Sequence, residues 1–380
     1  MHDFTTVDRL MREGLAEGVF PGAVVLVLKD GRQLFHEPYG KADIAAGDPV
    51  AEDTLFDLAS LTKPLATTLC TMMLIEDGRL RLEDRLGDWI PAFSDTDKAA
   101  VAVEHLLRHT SGLPDYRPYF EELVSRPLGA RPAHLQKMLL TEERITAVGK
   151  KTRYSDIGFL VLQQVIEKAA GRGLSGLCRE KIFSPLELDS LHFPKLLPPF
   201  EICRYAATEK CPWRKRVLRG EVHDENAWAL GGVAGHAGLF GSAADVGRLA
   251  QILLDQFNGD AVKGPFSSKT VRHFFSHRRM DERALGFDIP EPVKASCGER
   301  FSKSAVGHLG FTGTSFWIDL ESSLIVVLLT NRIHPSRENQ KIREFRPKLH
   351  DAVWLAAVGR HWAGAPPGGR SAIASKSSMA

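Results

Sequence analysis

Apolar residues near the N-terminus recur at helical spacing: Phe4, Val7, Leu10, Met11 and Leu15 predict a helix over about 4–18. The period then changes. Two strand-like runs, Gly22 to Leu28 and Arg32 to His36, flank Lys29-Asp30-Gly31, and this Asp-Gly turn between extended runs predicts a β-hairpin. Near the other end, Gly313–Asp319 and Leu324–Thr330 read as two more strands around Leu320-Glu321-Ser322-Ser323, followed by an amphipathic helix over about Lys341 to Val358. The middle is mostly helical in period, over about 60–77, 102–108, 133–141, 157–170 and 243–256. Strand-rich ends around a helix-rich middle predict an α+β fold. An antiparallel sheet of five or more strands is flanked by the terminal helices, with a helical subdomain inserted. Residues 1–363 then form one unit, with an α/β part from about 1–59 and 241–363 and a mainly helical part over about 60–240. A ligand cleft is expected where the two parts meet. The small, polar and Pro/Gly-rich residues 364–380 are expected to be a disordered tail.

Composition narrows the class of function. With 380 residues, 43% hydrophobic and 25% charged, the chain can bury a large core. A net charge of +2 gives no general attraction to nucleic acid or to an anionic membrane, so neither is an expected partner. The basic cluster of Lys210, Arg214, Lys215, Arg216 and Arg219 reads as a solvated loop. Five cysteines without a C-x-x-C pair suit a reducing compartment; only Cys203 and Cys211 are near enough in sequence to suggest a bridge. Asp3, Asp8, Arg9, Arg12, Glu13 and Glu17 leave no apolar segment for a signal peptide, and no run is long enough to span a bilayer. A cytoplasmic protein is expected, with export requiring a different start site. Composition says nothing of the oligomeric state.

Three short stretches carry the candidate chemistry. In Ser60-Leu61-Thr62-Lys63 the serine and lysine stand at i, i+3, on one face of a helix whose first turn Pro64 marks. About one S-x-x-K is expected by chance in a chain of this size, and an N-capping serine beside a surface lysine is the bland alternative. An amine beside a hydroxyl is nonetheless one way to make serine nucleophilic, and the free N–H groups of a helix start suit an oxyanion. Tyr154-Ser155-Asp156 reads either as a turn with an aspartate N-cap or as a hydroxyl and carboxylate placed beside Lys63. Gly307-His308-Leu309-Gly310-Phe311-Thr312-Gly313 reads as a strand whose glycines let a ligand approach the backbone, or as an edge-strand bulge.

On these residues the chain resembles the serine β-lactamase and penicillin-binding-protein-like family, nearest its class C β-lactamase and esterase branch. Leu106 to Pro114 and Gly231 to Phe240 match further, and Val222-His223-Asp224-Glu225-Asn226-Ala227 is similar to a D-alanyl-D-alanine carboxypeptidase-like subgroup. The resemblance covers about residues 4–358. It implies a β-lactamase/transpeptidase-like fold, Ser60 as the acylated nucleophile, and Lys63 and Tyr154 as the proton-handling pair. The amides of Ser60 and Phe311 form the oxyanion hole. Asp156, His308, Gly310, Phe311, His223 and Asn226 contact substrate. Three positions depart from the family pattern. Asp156 replaces asparagine and brings a carboxylate to Lys63. His308 replaces lysine and supplies a weaker, pH-dependent charge. Leu309 replaces a hydroxyl residue. These losses favour a small ester, D-amino-acid amide or peptide over a β-lactam as substrate. They also motivate the alternative of a catalytically silent binding or sensor module.

Other patterns carry less. Gly171-Arg172-Gly173-Leu174-Ser175-Gly176 fits G-x-G-x-x-G but follows a helix rather than a strand. His105 and His109 lack the H-E-x-x-H frame of a zinc helix, and His223, Asp224 and His236 read as a hydrogen-bonded loop rather than a metal cluster. No G-x-S-x-G elbow is present. No metal or organic cofactor is implied.

Overall fold

The computed structural model describes residues 2–194, 202–260, 264–276 and 283–359. The expected tail over 364–380 lies outside them. The chain opens with helix α1 (Thr5–Ala16), then β1 (Gly22–Lys29), β2 (Arg32–Asp43), β3 (Asp48–Pro49) and β4 (Phe56–Asp57). The middle holds α2 (Leu69–Glu76), α3 (Val103–Leu107), α4 (Arg131–Thr141), α5 (Asp156–Ala170), α6 (Leu174–Cys178), β5 (Ala207–Cys211), β6 (Arg216–Arg219) and α7 (Glu225–Ala229). After β7 (Phe240–Gly241) come α8 (Ala243–Asn258), α9 (Ser268–Phe275), β8 (Val306–Leu309), β9 (Ser315–Asp319), β10 (Leu324–Thr330) and α10 (Ile342–Ala357).

Strands from both ends of the chain make one six-stranded sheet in the order β3-β2-β1-β10-β9-β8, antiparallel throughout. The β1–β2 hairpin turns at Asp30 (φ 49°) and Gly31 (φ 73°), the left-handed pair that a two-residue turn between twisted strands requires. Side chains alternate across the sheet. Val25, Val27, Val326 and Leu328 pack with Val7, Met11, Leu349 and Val353 of the terminal helices α1 and α10. Val24, Leu26, Val327 and Leu329 face Val246, Leu249 and Leu253 of α8. Both faces are therefore buried, which explains why β1 and β10 read as unbroken apolar runs instead of alternating ones.

The chain leaves the sheet at β4 and returns at β7, and these two short strands pair with each other (Phe56 with Gly241, Asp57 with Phe240). Leaving and re-entry are thus hydrogen-bonded side by side, next to Ser60. Three expectations need correction. The stretch over 60–77 is not one helix: a tight turn over Ala59–Leu61 is followed by a wide, π-type turn over Lys63–Thr68, and only then by α2. Pro64 explains this, since its ring crowds the carbonyl of residue 60 and it has no N–H to donate. The basic cluster is not a solvated loop but the β5–β6 hairpin. Arg214 is buried against Trp213 and Trp228 and donates to the carbonyls of Val222 and His223, while Arg216 pairs with Glu221 and Arg219 with Asp48. Cys203 and Cys211 are unbridged; the cysteines that meet are Cys70 on α2 and Cys178 on α6, with sulfurs 3.2 Å apart. Among the described residues no helix is long and apolar enough to cross a membrane.

Candidate active site

Ser60 sits on a turn held from three directions. Asp57 accepts hydrogen bonds from the amides of Ala59 (2.9 Å) and His223 (2.7 Å), and its burial pushes its carboxyl above the usual value. Thr312 and Thr314, just beyond β8, donate their hydroxyls to the carbonyls of Asp57 (2.7 Å) and Leu58 (3.2 Å). The amide of Leu58 donates to Leu239. Ala59 itself is left-handed (φ 48°), an uncommon conformation for a residue with a Cβ, and the surrounding hydrogen bonds hold it there beside the nucleophile.

Lys63 is fully buried, and its Nζ lies 3.0 Å from Ser60 Oγ, 3.1 Å from the carbonyl oxygen of His236 and 2.7 Å from Asp156 Oδ1. Burial opposes its charge, but the neighbouring Asp156 and Tyr154 outweigh it and hold the amine above its usual value. The Tyr154 ring lies 4.7 Å from Nζ, and burial raises its phenol despite Lys63, so the hydroxyl stays protonated. Tyr154 stacks on His109 at 4.6 Å, and His109 Nδ1 accepts from the Ser155 amide (3.0 Å). The Leu106–Pro114 stretch therefore backs the tyrosine turn. Helix α5 is capped by Ser155, whose hydroxyl accepts from Gly158, and not by Asp156. That leaves the Asp156 carboxylate free to meet Lys63.

The cleft beside Ser60 has a volume of ≈ 530 Å³. Ser60, Tyr154, Asp156, His223, Gly310 and Phe311 line it, so six of the nine expected site residues share one cavity with Lys63 buried beneath. Gly310 is needed at its place: a Cβ there would lie 2.0 Å from Thr314 Oγ1 and 2.8 Å from the Leu58 carbonyl oxygen. His223 stacks on Phe311 (5.6 Å) and bonds to Glu209 (3.0 Å).

His308 and Asn226 stand elsewhere. His308 is buried behind Tyr154, with Nδ1 2.8 Å from the Leu309 carbonyl oxygen and Nε2 without a partner. Burial, then Lys63 and Arg283, hold it well below the usual imidazole value, so it is neutral and supplies no charge to the cleft. Asn226 is buried, accepting from the Phe120 amide (2.8 Å) and donating to the Arg117 carbonyl (2.8 Å), so it fastens a loop.

The cations come from residues that sequence reading passed over. Arg332, Arg337, Arg343 and Arg346 line the far wall. Arg337 is neutralised by Glu209 and Glu225. Among the described residues no carboxylate pairs with Arg332, Arg343 or Arg346. Arg346 is buried, its Nε has no partner, and burial followed by Arg332 draws the guanidinium down to about 9. The available signal was Arg346 among Ile342, Phe345 and Leu349 on the apolar face of α10, where a charge has to have a reason.

Sheet, inserted helices and a serine–lysine–tyrosine cluster at their junction define the class. The chain belongs to the β-lactamase family, a family of hydrolases, whose model matches residues 7–349. Among relatives, it is 32% identical over 362 residues to the N-acetylmuramyl-L-alanine amidase of Bacillus subtilis strain 168, covering 86% of this chain and 80% of that one. It is 30% identical over 386 residues to a protein of Escherichia coli K12 provisionally named D-alanyl-D-alanine carboxypeptidase, covering 94% and 88%. The fold is similar to that of EstCE1, a hydrolase with promiscuous acyltransferase activity (TM-score 0.73, 24% identity, 92% of this chain and 97% of that one). It is also similar to the octameric penicillin-binding protein homologue from Pyrococcus abyssi (TM-score 0.71, 20% identity, 94% and 77%).

Proposed function

We propose that this chain is a serine hydrolase that forms an acyl-enzyme on Ser60. The observation that carries the reading is the buried Lys63 amine 3.0 Å from the Ser60 hydroxyl, at the floor of an open cleft. Ser60 attacks, Lys63 and Tyr154 move the proton, and the amides of Ser60 and Phe311 receive the developing oxyanion. Both parts of the chain, read as one unit over 1–363, supply the walls. Substrates are small esters or D-amino-acid amides and peptides, with β-lactam hydrolysis a weak side reaction. A carboxylate on the substrate suits Arg346, which lacks an anionic partner. The names of the amidase and carboxypeptidase relatives support amide substrates of this size. The free cysteines suit a reducing compartment, and we place the protein in the cytoplasm.

One observation favours a second reading. The Lys63–Asp156 ion pair keeps the amine charged, as in a silent binding module of the same fold. Intact mass after a fluorophosphonate and, separately, a penicillin separates the two. We expect one covalent adduct on wild type and none on Ser60→Ala; folded wild type without any adduct supports the silent module.

A further inference from the structure

Lys63 Nζ has an acceptor for each of three protons: Ser60 Oγ, the His236 carbonyl oxygen and Asp156 Oδ1. An amine in that state has no lone pair for Ser60. Tyr154 is a protonated phenol, and it too cannot take a proton without giving one away. The remaining ionisable groups around the pair are engaged or uncharged. His109 and His308, which face the Tyr154 ring, are neutral by burial, and Arg283 lies 5.4 Å from that ring as a further cation. Asp224 is tied to His236 Nε2 (2.9 Å) and to the Ala227 amide (2.7 Å), and Asp57 to the amides of Ala59 and His223. Among the described residues Asp156 is the only carboxylate in contact with Lys63.

We propose that Asp156 stores the proton released by Ser60, with Lys63 as the carrier between them. This rests on the acyl-enzyme reading above and departs from it in giving Asp156 a task other than substrate contact. Lys63 passes one proton to Asp156 Oδ1, and rotation about its Cε–Nζ bond turns the freed lone pair to Ser60. As Ser60 Oγ bonds to the acyl carbon, its O–H breaks and the proton goes to Nζ, while the carbonyl oxygen takes the negative charge. Lys63 is again an ammonium and Asp156 a neutral acid. When the acyl–leaving-group bond breaks, Tyr154 protonates the leaving atom, Lys63 reprotonates Tyr154, and Asp156 reprotonates Lys63. Asp156 thus acts through Lys63 and touches no reacting atom, so it is a positioning and proton-holding residue.

Asp156→Asn, nearly isosteric, removes the acceptor and keeps the shape. The full-length protein would be tested with p-nitrophenyl acetate in stopped flow from about pH 6 to about pH 10, with fluorophosphonate mass shift alongside. We expect neutral-pH acylation to fall about 10²–10⁴-fold, the usual range for losing a proton acceptor. The residual rate should climb with pH, because Lys63 must then lose its proton to water before it can take one from Ser60; wild type should level off. Asp156→Glu, which keeps an acceptor, should retain the plateau. Its profile decides the matter if Asp156→Asn melts early. Asp156→Asn at the wild-type rate, or slowed by one constant factor at every pH, overturns the proton store. A Glu variant climbing like a lysine-only base does the same. Wild type unlabelled at Ser60 overturns the acyl-enzyme reading instead.

Discussion

Glu209 illustrates how a single residue behind the cleft couples its wall to stability. Burial works to raise its carboxyl, but hydrogen bonds and charge from His223 and Arg337 prevail and hold it at about 2. The folded value lies below the unfolded one near 4.3, so the stabilisation is present above that pH and is lost as pH falls towards 2. Glu209→Gln should destabilise the protein by about 1–2 kcal/mol at neutral pH, a figure reduced for solvent screening. Urea titrations should show the gap between variant and wild type closing from about pH 4.5 down to about pH 2. A gap that stays constant with pH would mean that lost packing, not charge, was responsible. At this scale the sequence was readable for Ser60, Lys63 and Tyr154, because each motif sits on a local turn. It misread His308, because a charge estimate needs burial, and burial by Tyr154 and the neighbouring strands is not written in a tetrapeptide.

Among elements, the junction of β8 with the Ser60 turn is the most exacting contact. Residues 310–314 lean on the backbone of 57–58 through Thr312, Thr314 and the missing side chain of Gly310. Gly310→Ala places a methyl against a backbone carbonyl, so the strand end must move away from Ser60. We expect a stability loss of about 1–3 kcal/mol. We also expect a fall of about 10²-fold in kcat, with KM changing less, since misplacing an oxyanion donor by an ångström acts on the transition state. Steady-state kinetics with thermal melts would check both; a KM effect alone would argue that residue 311 only binds substrate. The helices and hairpins of this layer were legible from period and turn chemistry. The wide turn after Lys63 was not, because Pro64 permits either an ordinary helix start or a π-type turn and only packing against Gly235 and Leu239 selects between them.

On the scale of the whole molecule, the cleft is shared. The helical middle supplies Ser60, Lys63, Tyr154, Asp156 and His223, and the sheet-bearing ends supply Phe311 and the arginines. Charge therefore reaches the cleft from α10, nearly three hundred residues from the nucleophile. Arg346→Ala should lower kcat/KM for a carboxylate-bearing ester roughly tenfold to a hundredfold, as expected for one charged hydrogen bond, with a smaller loss for a neutral ester of equal size. Equal losses on both esters would remove the carboxylate from its role. By itself the sequence determined the α+β class, the sheet built from both ends, the strand and helix positions, and the serine–lysine–tyrosine set. Those follow from periodicity, turn residues and spacing, all of which act within a few residues. Tertiary structure alone decided that Asp156 faces Lys63, that His308 is neutral, that Asn226 fastens a loop, and that unpaired arginines line the far wall. Each of those depends on which distant segments exclude water from a group or bring a charge to it, and solvation and Coulomb energy follow distance in space rather than along the chain.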